Sequence, residues 1–555
     1  MTIETLSNLF TFVGGLGMFL YGMNIMADGM QKTTGDKMRQ LLGILTNNRI
    51  MAVIVGALIT AIVQSSGATT VMVVGFVNAG IMSLGQAVGV IMGANIGTCI
   101  TSWIVSLGQV GETFKAVSPD FYAPLLIGIG AFLIMFCKKQ GKKLAGEILV
   151  GVGLLFIGLS FMKNAASAYS DLPIFVNAFK LFGSNPIIGI SIGVLITALM
   201  QSSSAAVGIL QTIASTGGVV TTASAVYISL GSNIGSCFTA LLSSIGAPKT
   251  AKRAAVIHLL FNIIGAVVFG TVLFLVFTLN PLMGTGSINS VGISIFHTIF
   301  NITCTLLLLP FSDLLVKISG KIVKANDNDI VKDSTEPTLN HLDERILETP
   351  SFAVESVVKE VVYVGEMAFE NLKLAIHSML DNNSEEASKV KEVEENIDKM
   401  VSKISDYLVK ISNLSINEKQ HQIVNNMFYT ISNIERVGDH AENIAELAEE
   451  KIANNIVFSE SATMEMEEMC DTVIKAYENA LLARKNKSIE YVRKVVKYED
   501  KADMLEDELR EQHIERLSSN KCNSEAGVIF IDALTNLERV SDHSLNIANY
   551  VKDEL

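Results

Sequence analysis

The sequence predicts an all-α protein in two parts: a polytopic membrane domain of two inverted repeats with broken or re-entrant helices, then a soluble bundle of about six helices forming two three-helix bundles. Three observations carry that expectation. First, a mean hydropathy of +0.42 averages over unlike halves: residues 1–320 carry 15 Lys+Arg against 8 Asp+Glu, a net of +7, whereas residues 321–555 carry a net of −20. An apolar, weakly basic half before an acidic one reads as a membrane domain joined to a soluble one. Second, Ile59-Thr60-Ala61-Ile62-Val63-Gln64-Ser65-Ser66 returns 137 residues later as Ile196-Thr197-Ala198-Leu199-Met200-Gln201-Ser202-Ser203. Third, from Ser351 onward the chain lacks proline and places apolar residues three and four apart among charged ones, the helical period.

Composition excludes several classes. The acidic balance argues against nucleic acid as a partner. The six cysteines, Cys99, Cys137, Cys237, Cys304, Cys470 and Cys522, show neither CxxC nor metal-finger spacing, so no disulfide framework is expected. Residues 1–11 lack a basic signal-peptide region, and Leu6 to Met26 reads as a retained first helix. The final Lys552-Asp553-Glu554-Leu555 spells a luminal retention signal. The topology below places this tail in the cytoplasm, where it is an ordinary charged helix end.

In chain order, apolar segments run at about 6–30, 50–107 in pieces, 121–137, 145–162, 186–246 in pieces, 254–279 and 291–310. Several can span roughly 30 Å of hydrocarbon as helices. The pieces around each Gln-Ser-Ser are shorter and interrupted, by Gly67, Gly75, Gly80, Gly93 and Gly97 in one copy and by Gly208, Gly217, Gly218, Gly231 and Gly235 in the other. Gly-interrupted segments at matching places in two halves point to broken helices around a midplane site. Two further landmarks keep nearly the same offset. Gly15 to Gly22 aligns with Gly151 to Gly158, and Gly93-Ala94-Asn95-Ile96-Gly97-Thr98-Cys99 with Gly231-Ser232-Asn233-Ile234-Gly235-Ser236-Cys237. The repeats therefore cover about 5–110 and 146–250.

Basic residues orient the copies. Lys138, Lys139, Lys142 and Lys143 form the densest basic loop, and Lys249, Lys252 and Arg253 another, so both are assigned to the cytoplasm. Working backward, the Glu112 to Asp120 loop falls outside, the stretch with Lys32, Lys37, Arg39 and Arg49 inside, and the N-terminus outside. Repeat one then enters from outside and repeat two from inside, which makes them inverted. About 60 residues after each first helix suit a hairpin plus one crossing better than three full spans. Spans 254–279 and 291–310 return the chain to the cytoplasm near Lys317 and Lys321. His258 and His297 lie in or near them, read as packing and helix–helix hydrogen bonding, with a proton role as the alternative.

The repeated motif sets an amide and a run of hydroxyls in apolar surroundings, where unsatisfied polar groups are costly. A broken helix frees N–H groups that bind an oxyanion, with the helix dipole favouring negative charge. The substrate-binding candidates are Ser65, Ser66, Thr69 and Thr70 from repeat one and Ser202, Ser203 and Ser204 from repeat two. Gln64, Gln201, Asn95, Thr98, Asn233 and Ser236 are candidates to orient them or to ligate sodium, a hard cation that takes oxygen ligands. With no Lys or Arg in either motif, an oxyanion needs compensation from co-transported cations. The competing reading, small residues that let membrane helices pack closely, suits one Ser-Ser pair better than a matched pair in inverted repeats.

Gln201-Ser202-Ser203-Ser204, the paired Gln64-Ser65-Ser66 and the Gly-x-Asn-Ile-Gly echoes resemble the type II sodium/phosphate cotransporter family over roughly residues 5–310. The resemblance implies secondary active transport of inorganic phosphate driven by sodium, with the two Gln-Ser-Ser regions forming the substrate and sodium sites. One departure is Gly67, which stands where that family has a third serine.

Asn326 to Leu347, polar and with Pro337, reads as a linker, so the expected domains are 1–320, a linker at 321–350 and a helical domain at 351–555. Six helices fit that domain, broken near Asn382-Asn383, Asn413 to Asn417, Asn454-Asn455, Asn486 and Asn520. Glu-x-x-x-Asp recurs as Glu394/Asp398, Glu435/Asp439, Glu499/Asp503 and Glu538/Asp542. The spacing puts both carboxylates on one helix face. Two copies extend to Glu435-Arg-Val-Gly-Asp439-His440-x-x-Asn443 and Glu538-Arg-Val-Ser-Asp542-His543-x-x-Asn546. One such pair is an ordinary solvated face; four in a twofold repeat suggest carboxylates gathered to hold a divalent or ferric metal, since like charges otherwise repel. These residues resemble the PhoU family of phosphate-regulatory proteins across about 351–551, which implies tandem three-helix bundles, metal binding and regulation without catalysis.

The leading expectation is a sodium-coupled importer of inorganic phosphate, in the cell membrane with its C-terminal domain cytoplasmic, and not an enzyme. Its partners are phosphate, sodium ions and the lipid bilayer; a regulatory protein at the cytoplasmic domain and a homodimer are left open. The alternatives are a membrane-anchored metal-dependent phosphohydrolase and a regulated passive anion channel.

Overall fold

The computed structural model describes residues 3–43, 48–78, 82–108, 119–170, 172–217, 219–324, 339, 342–519 and 522–555, with backbone alone at 35–43 and 119–120. The expected outer loop at 112–118, Gly80, Gly218, Pro337, most of the linker and Asn520 lie outside these residues, as do the side chains of Lys37 and Arg39. The described residues form helices and no strand beyond one isolated bridge, Thr221 to Ser287. The chain divides into two compact units, Met1–Lys332 with Asp343–Phe352, and Asp333–Leu342 with Ala353–Leu555.

In the first unit, α1 (Ile3–Gly43) and α6 (Gln140–Ser167) are the repeat-equivalent entry helices, and they pack on each other. A Cβ on Gly15 would lie 2.9 Å from Gly158 O, and one on Gly22 would lie 2.6 Å from Gly151 O. As one residue number rises the other falls, so the two helices are antiparallel and the repeats inverted. Phe19, Met23, Leu155 and Met162 fill the core between them. Helix α5 (Pro119–Phe136) packs on the other face of α6.

Each repeat continues as short helices folded at the Gln-Ser-Ser break and then a crossing segment. Repeat one has α2 (Arg49–Val63), α3 (Ser66–Asn78) and α4 (Leu84–Leu107). Repeat two has α7 (Pro173–Ser184), bent by 112° at its junction with α8 (Pro186–Met200), then α9 (Ser203–Ala214), α10 (Thr222–Gly235) and α11 (Cys237–Ser243). The Thr60 hydroxyl donates to that of Thr69 at 3.0 Å across the break, a contact possible only if α2 and α3 fold back as a hairpin. Close approach of α2 to α4 and of α8 to α10 uses matched glycines. A Cβ on Gly93 would lie 2.0 Å from Val53 O, and one on Gly231 would lie 2.0 Å from Ile190 O. Only a residue without a side chain fits there. Helices α12 (Lys249–Leu279), α13 (Pro281–Thr285), α14 (Ser290–Leu308) and α15 (Ser312–Ile322) complete the helical array. Among the described residues, six segments are long and apolar enough to cross a membrane, seven if the bent α7–α8 pair counts as one span.

Part of the expected linker is structured. Glu344–Glu348 forms a 3₁₀ turn that belongs to the membrane unit. Ile346 is fully buried against Gly75 of α3, Arg345 Nε donates to Ser243 O at 2.7 Å, and Asn78 Nδ2 donates to Asp343 Oδ2 at 2.5 Å. A single apolar residue in a polar stretch, Ile346, is what converts linker into strap.

In the second unit, α16 (Pro350–Asp381, its residues from Ala353), α17 (Ser384–Ser412) and α18 (Glu418–Ala453) precede α19 (Glu460–Asn486), α20 (Ile489–Ser518) and α21 (Ser524–Glu554). Asparagines end and start these helices because they tolerate left-handed backbone and cap freed N–H groups. Asn382 and Asn455 have φ of 56° and 53°, and the side chains of Asn383, Asn417 and Asn523 accept from the first turns of α17, α18 and α21. Helix α16 is fixed by its neighbours, through Asn371 Nδ2 to Val390 O at 3.1 Å and Lys451 Nζ to Met379 O at 2.7 Å.

Candidate functional site

Both motifs sit at helix breaks with the same backbone. Gln64 ends α2 at φ 56° and Gln201 ends α8 at φ 53°, each a left-handed residue that reverses the chain direction. The serine that follows caps the next helix: Ala68 N donates to Ser65 Oγ at 3.1 Å, and Ala205 N to Ser202 Oγ at 3.2 Å. Ser66 and Gly67 open α3, and Ser203 and Ser204 open α9; all four are buried. Two half-helix N-termini thus begin inside the membrane unit, in stretches with no charged residue from 50 to 111 or from 181 to 248. A helix N-terminus favours an anion by up to about 2 kcal/mol when partly buried.

The crossing helices line the first tip. Gln64 Nε2 donates back to Ala61 O, and its Oε1 accepts from Thr101 Oγ1 of α4 at 2.9 Å. Thr239 of α11, the repeat equivalent of Thr101, lies against Gly67, where an added Cβ would meet it at 3.6 Å. Tip one therefore touches the crossing helices of both repeats. On the second hairpin Gln201 is exposed, while Gln211 Nε2 bonds Ser294 Oγ of α14 at 2.8 Å and Ser102 O of α4 at 3.1 Å.

The other proposed residues divide by the fate of their polar atoms. Thr69 and Thr70 are fully buried and donate to Ser65 O at 2.9 Å and Ser66 O at 2.8 Å, which commits their protons to the hairpin backbone. Thr98 donates to Ala94 O at 3.1 Å, Ser236 to Asn233 O at 2.7 Å and Asn95 to Ile91 O at 3.0 Å, all within their own helical turns. Asn233 reaches across helices: Nδ2 to Asn301 Oδ1 at 3.2 Å, and Oδ1 to His297 Nε2 at 3.0 Å.

Sequence reasoning passed over Thr101, Thr239, Gln211 and the asparagines of α12 and α14. The signals were present. Thr101 and Thr239 stand four residues beyond the aligned Gly97 and Gly235, and His258-Leu-Leu-Phe-Asn262-Ile recurs as His297-Thr-Ile-Phe-Asn301-Ile.

The second unit gathers the carboxylates into two clusters. Helices α17 and α18 bring together Glu394, Asp398, Glu435 and Asp439; α20 and α21 bring together Glu499, Asp503, Glu538 and Asp542. Oxygens of Glu499, Asp503 and Asp542 lie within 4.8 Å of one another. Burial, then the charges of Asp398, Glu442 and Asp439, push the Glu394 carboxyl up to about 7. Burial, then Asp503, Asp500 and Asp542, push Glu499 up to about 7. Glu435, Asp439, Asp503 and Glu538 are raised as well, each first by burial. Glu394 Oε1 is buried without a partner. An oxygen-only donor set with an orphaned acceptor fits a hard cation. Between the clusters the two extended motifs meet: His440 and His543 stack at 5.5 Å, Asn536 bonding the first ring and Asn433 the second.

Comparison with known proteins divides at the same place. Residues 18–164 and 173–298 match the Na+/Pi-cotransporter family, and residues 361–448 and 466–551 match the PhoU domain. The chain is 23% identical over 549 residues to the protein named "Putative inorganic phosphate export protein YjbB" of Salmonella typhimurium, covering 98% of each. It is 34% identical over 111 residues to human sodium-dependent phosphate transport protein 2B, covering 20% of this chain and 16% of that one. Among solved structures, PhoU from Pseudomonas aeruginosa aligns with 36% of this chain and 96% of its own, at 21% identity and a TM-score of 0.35. The chain is a multi-pass membrane protein whose N-terminal region belongs to the Na+/Pi-cotransporter family and whose C-terminal region consists of PhoU domains.

Proposed function

We propose that this protein is a secondary active transporter of inorganic phosphate coupled to sodium, under the control of a metal-binding cytoplasmic domain. The observation that carries the reading is the pair of helix breaks with identical backbone at Gln64 and Gln201, each followed by a capping serine and a buried half-helix N-terminus. Ser65, Ser66, Ser202, Ser203 and Ser204 supply hydroxyls and N–H groups for the anion. Gln64, Thr101 and Thr239 shape its first half, and carbonyl oxygens at the breaks suit sodium. With no fixed cation nearby, sodium also supplies the charge that balances phosphate.

The Glu394 and Glu499 clusters hold a divalent or ferric cation, which relieves the repulsion among their carboxylates. The N-terminus lies outside and the PhoU domains in the cytoplasm, following the basic loops at 138–143 and 249–253.

An inward sodium gradient makes such a protein an importer. A second reading, export, is favoured by the name of the relative aligned over 98% of both chains. Proteoliposomes loaded with labelled phosphate, and others with label outside, decide between them under sodium gradients of either sign. Phosphate flux in the same direction as sodium, reversing with the gradient, is symport and gives import under an inward gradient; coupled flux opposite to sodium is exchange and gives export. Flux indifferent to sodium sinks the coupling, and label retained against both gradients sinks transport.

A further inference from the structure

The two Gln-Ser-Ser hairpins are not in the same state, and neither are two buried His-x-x-x-Asn sequences beside the crossing helices. On α14, His297 Nε2 pairs with Asn233 Oδ1 at 3.0 Å, and Asn301 Oδ1 accepts from Asn233 Nδ2 at 3.2 Å. Cys99 Sγ closes this cluster from repeat one, 3.6 Å from His297 O. On α12 the equivalent residues are His258 and Asn262, with Cys237 of repeat two 3.6 Å from His258 O. The repeat equivalent of Asn233 is Asn95, whose amide is turned back to Ile91 O. Both ring nitrogens of His258 and the Oδ1 of Asn262 are left without partners, in side chains that are 0% exposed. His297 Nδ1 is also without a partner, so the two copies differ at the histidine Nε2 and the asparagine Oδ1, which are bonded on α14 and orphaned on α12; buried polar atoms without partners are rare and costly, and that difference requires a cause. A separate pair differs in the same structure: Gln64 is half-buried and held by Thr101, whereas Gln201 is exposed.

We propose that Asn95–His258–Asn262 and Asn233–His297–Asn301 are two copies of one latch that close in alternation as the transporter switches the side to which its site opens. The α14 copy is closed here. In the exchanged state Asn95 bonds His258 and Asn262, Asn233 is released, and Gln201 takes up with Thr239 the position Gln64 now holds with Thr101. Inverted repeats that rock against each other exchange their conformations in this way. The inference rests on the transport reading, with these side chains as positioning residues that do not touch the anion.

The test is the reactivity of Gln201→Cys toward a membrane-impermeant maleimide in the full-length protein in proteoliposomes, with Cys137→Ser and Cys522→Ser removing the two native thiols that are not buried. Asn233→Ala opens the latch closed here and slows labelling; Asn95→Ala disables the other latch. Loss of one buried hydrogen bond shifts a two-state equilibrium about fivefold, so with the two states equally populated in the parent, labelling in Asn95→Ala exceeds that in Asn233→Ala about fivefold. The double variant returns toward the parent rate. His297→Phe and His258→Phe, which keep an aromatic ring and remove its hydrogen bonds, repeat the comparison with the same signs. Equal labelling in the paired variants, or a change in the same direction, overturns the latch. Labelling needs no phosphate flux, so failure of the transport reading and failure of the latch give different results.

Discussion

The carboxylate clusters make metal-free protein lose stability as pH rises. Glu394 is 6% exposed, and both Glu394 and Glu499 are pushed from their ordinary range up to about 7. An acid whose folded value is raised binds its proton more tightly when folded. Its favourable contribution is therefore complete below about pH 4.5, the unfolded value, and is lost as pH rises through about 7. A shift of that size corresponds to about 3 kcal/mol per carboxyl, reduced by solvent screening to about 1–2 kcal/mol. Together the two acids cost about 2–4 kcal/mol between pH 5 and 8. For a unit of this size that lowers Tm by about 5–10 °C. The assay is thermal unfolding of the full-length protein in detergent, followed at the second unit's transition, in chelator and then with added Mg²⁺, Mn²⁺ or Fe³⁺. Chelated protein melts lower at pH 8 than at pH 5.5; a bound cation removes the difference, because it replaces the proton as the group that neutralises the cluster. Glu394→Gln and Glu499→Gln flatten the chelated profile and raise Tm at pH 8. A chelated Tm that is level or rises from pH 5.5 to 8 would refute the electrostatic reasoning, and a profile unchanged by either glutamine would refute the assignment.

Ser66→Ala and Ser203→Ala each remove one hydroxyl from a helix N-terminus, so phosphate affinity falls about 10- to 100-fold, the worth of a hydrogen bond to a charged group, with the melting transition kept; isotope uptake and melting read the two. Gly67→Ser is accommodated, because the new Cβ meets Thr239 at an ordinary 3.6 Å. It adds a hydroxyl to the first tip and changes the sodium dependence of flux; an unchanged Hill slope and affinity would place that hydroxyl outside the site. Gly231→Ala drives a methyl to 2.0 Å from Ile190 O, so it forces α8 from α10 and costs at least about 1–3 kcal/mol, read as loss of monodisperse protein on size exclusion. Gly17→Ala, whose methyl meets nothing within 4 Å, is the silent control.

Local rules made the breaks legible. Gln-Ser-Ser at one offset marked both helix ends because left-handed C-caps and serine N-caps are short-range features, and asparagine pairs marked the bundle turns for the same reason. The network around the tips was not legible, since it depends on which helices meet. Gln211 is one amide among many until α9 lies against Ser102 and Ser294. Thr69 and Thr70 looked equivalent to Ser65 and Ser66 in the sequence, yet helical geometry turns their hydroxyls onto carbonyls four residues back. The His-x-x-Phe-Asn-Ile pair stands at an offset of 39 residues, outside the 137-residue repeat, so a search at one period passes it by. Ile346 failed for another reason: one apolar residue has no periodicity, and only the groove at Gly75 gives it a place.

Two independent features invert the repeats. Basic loops orient each repeat through the position of the bilayer and the cytoplasmic placement of Lys138 to Lys143. The contacts of Gly15 with Gly158 and of Gly22 with Gly151 depend on neither. Equivalent helices that run antiparallel are related by an axis perpendicular to their length, so their hairpins enter from opposite ends. The N-termini of α3 and α9 therefore open from opposite ends, the arrangement that the proposed anion site requires. A parallel duplication would have stacked both N-termini at one end and left the second tip without a counterpart. Gly67 and Ser204 can differ without disturbing the fold: Gly67 lies in ordinary van der Waals room beside Thr239, so the asymmetry falls on the hydroxyls at the two tips and not on the helix packing that positions them.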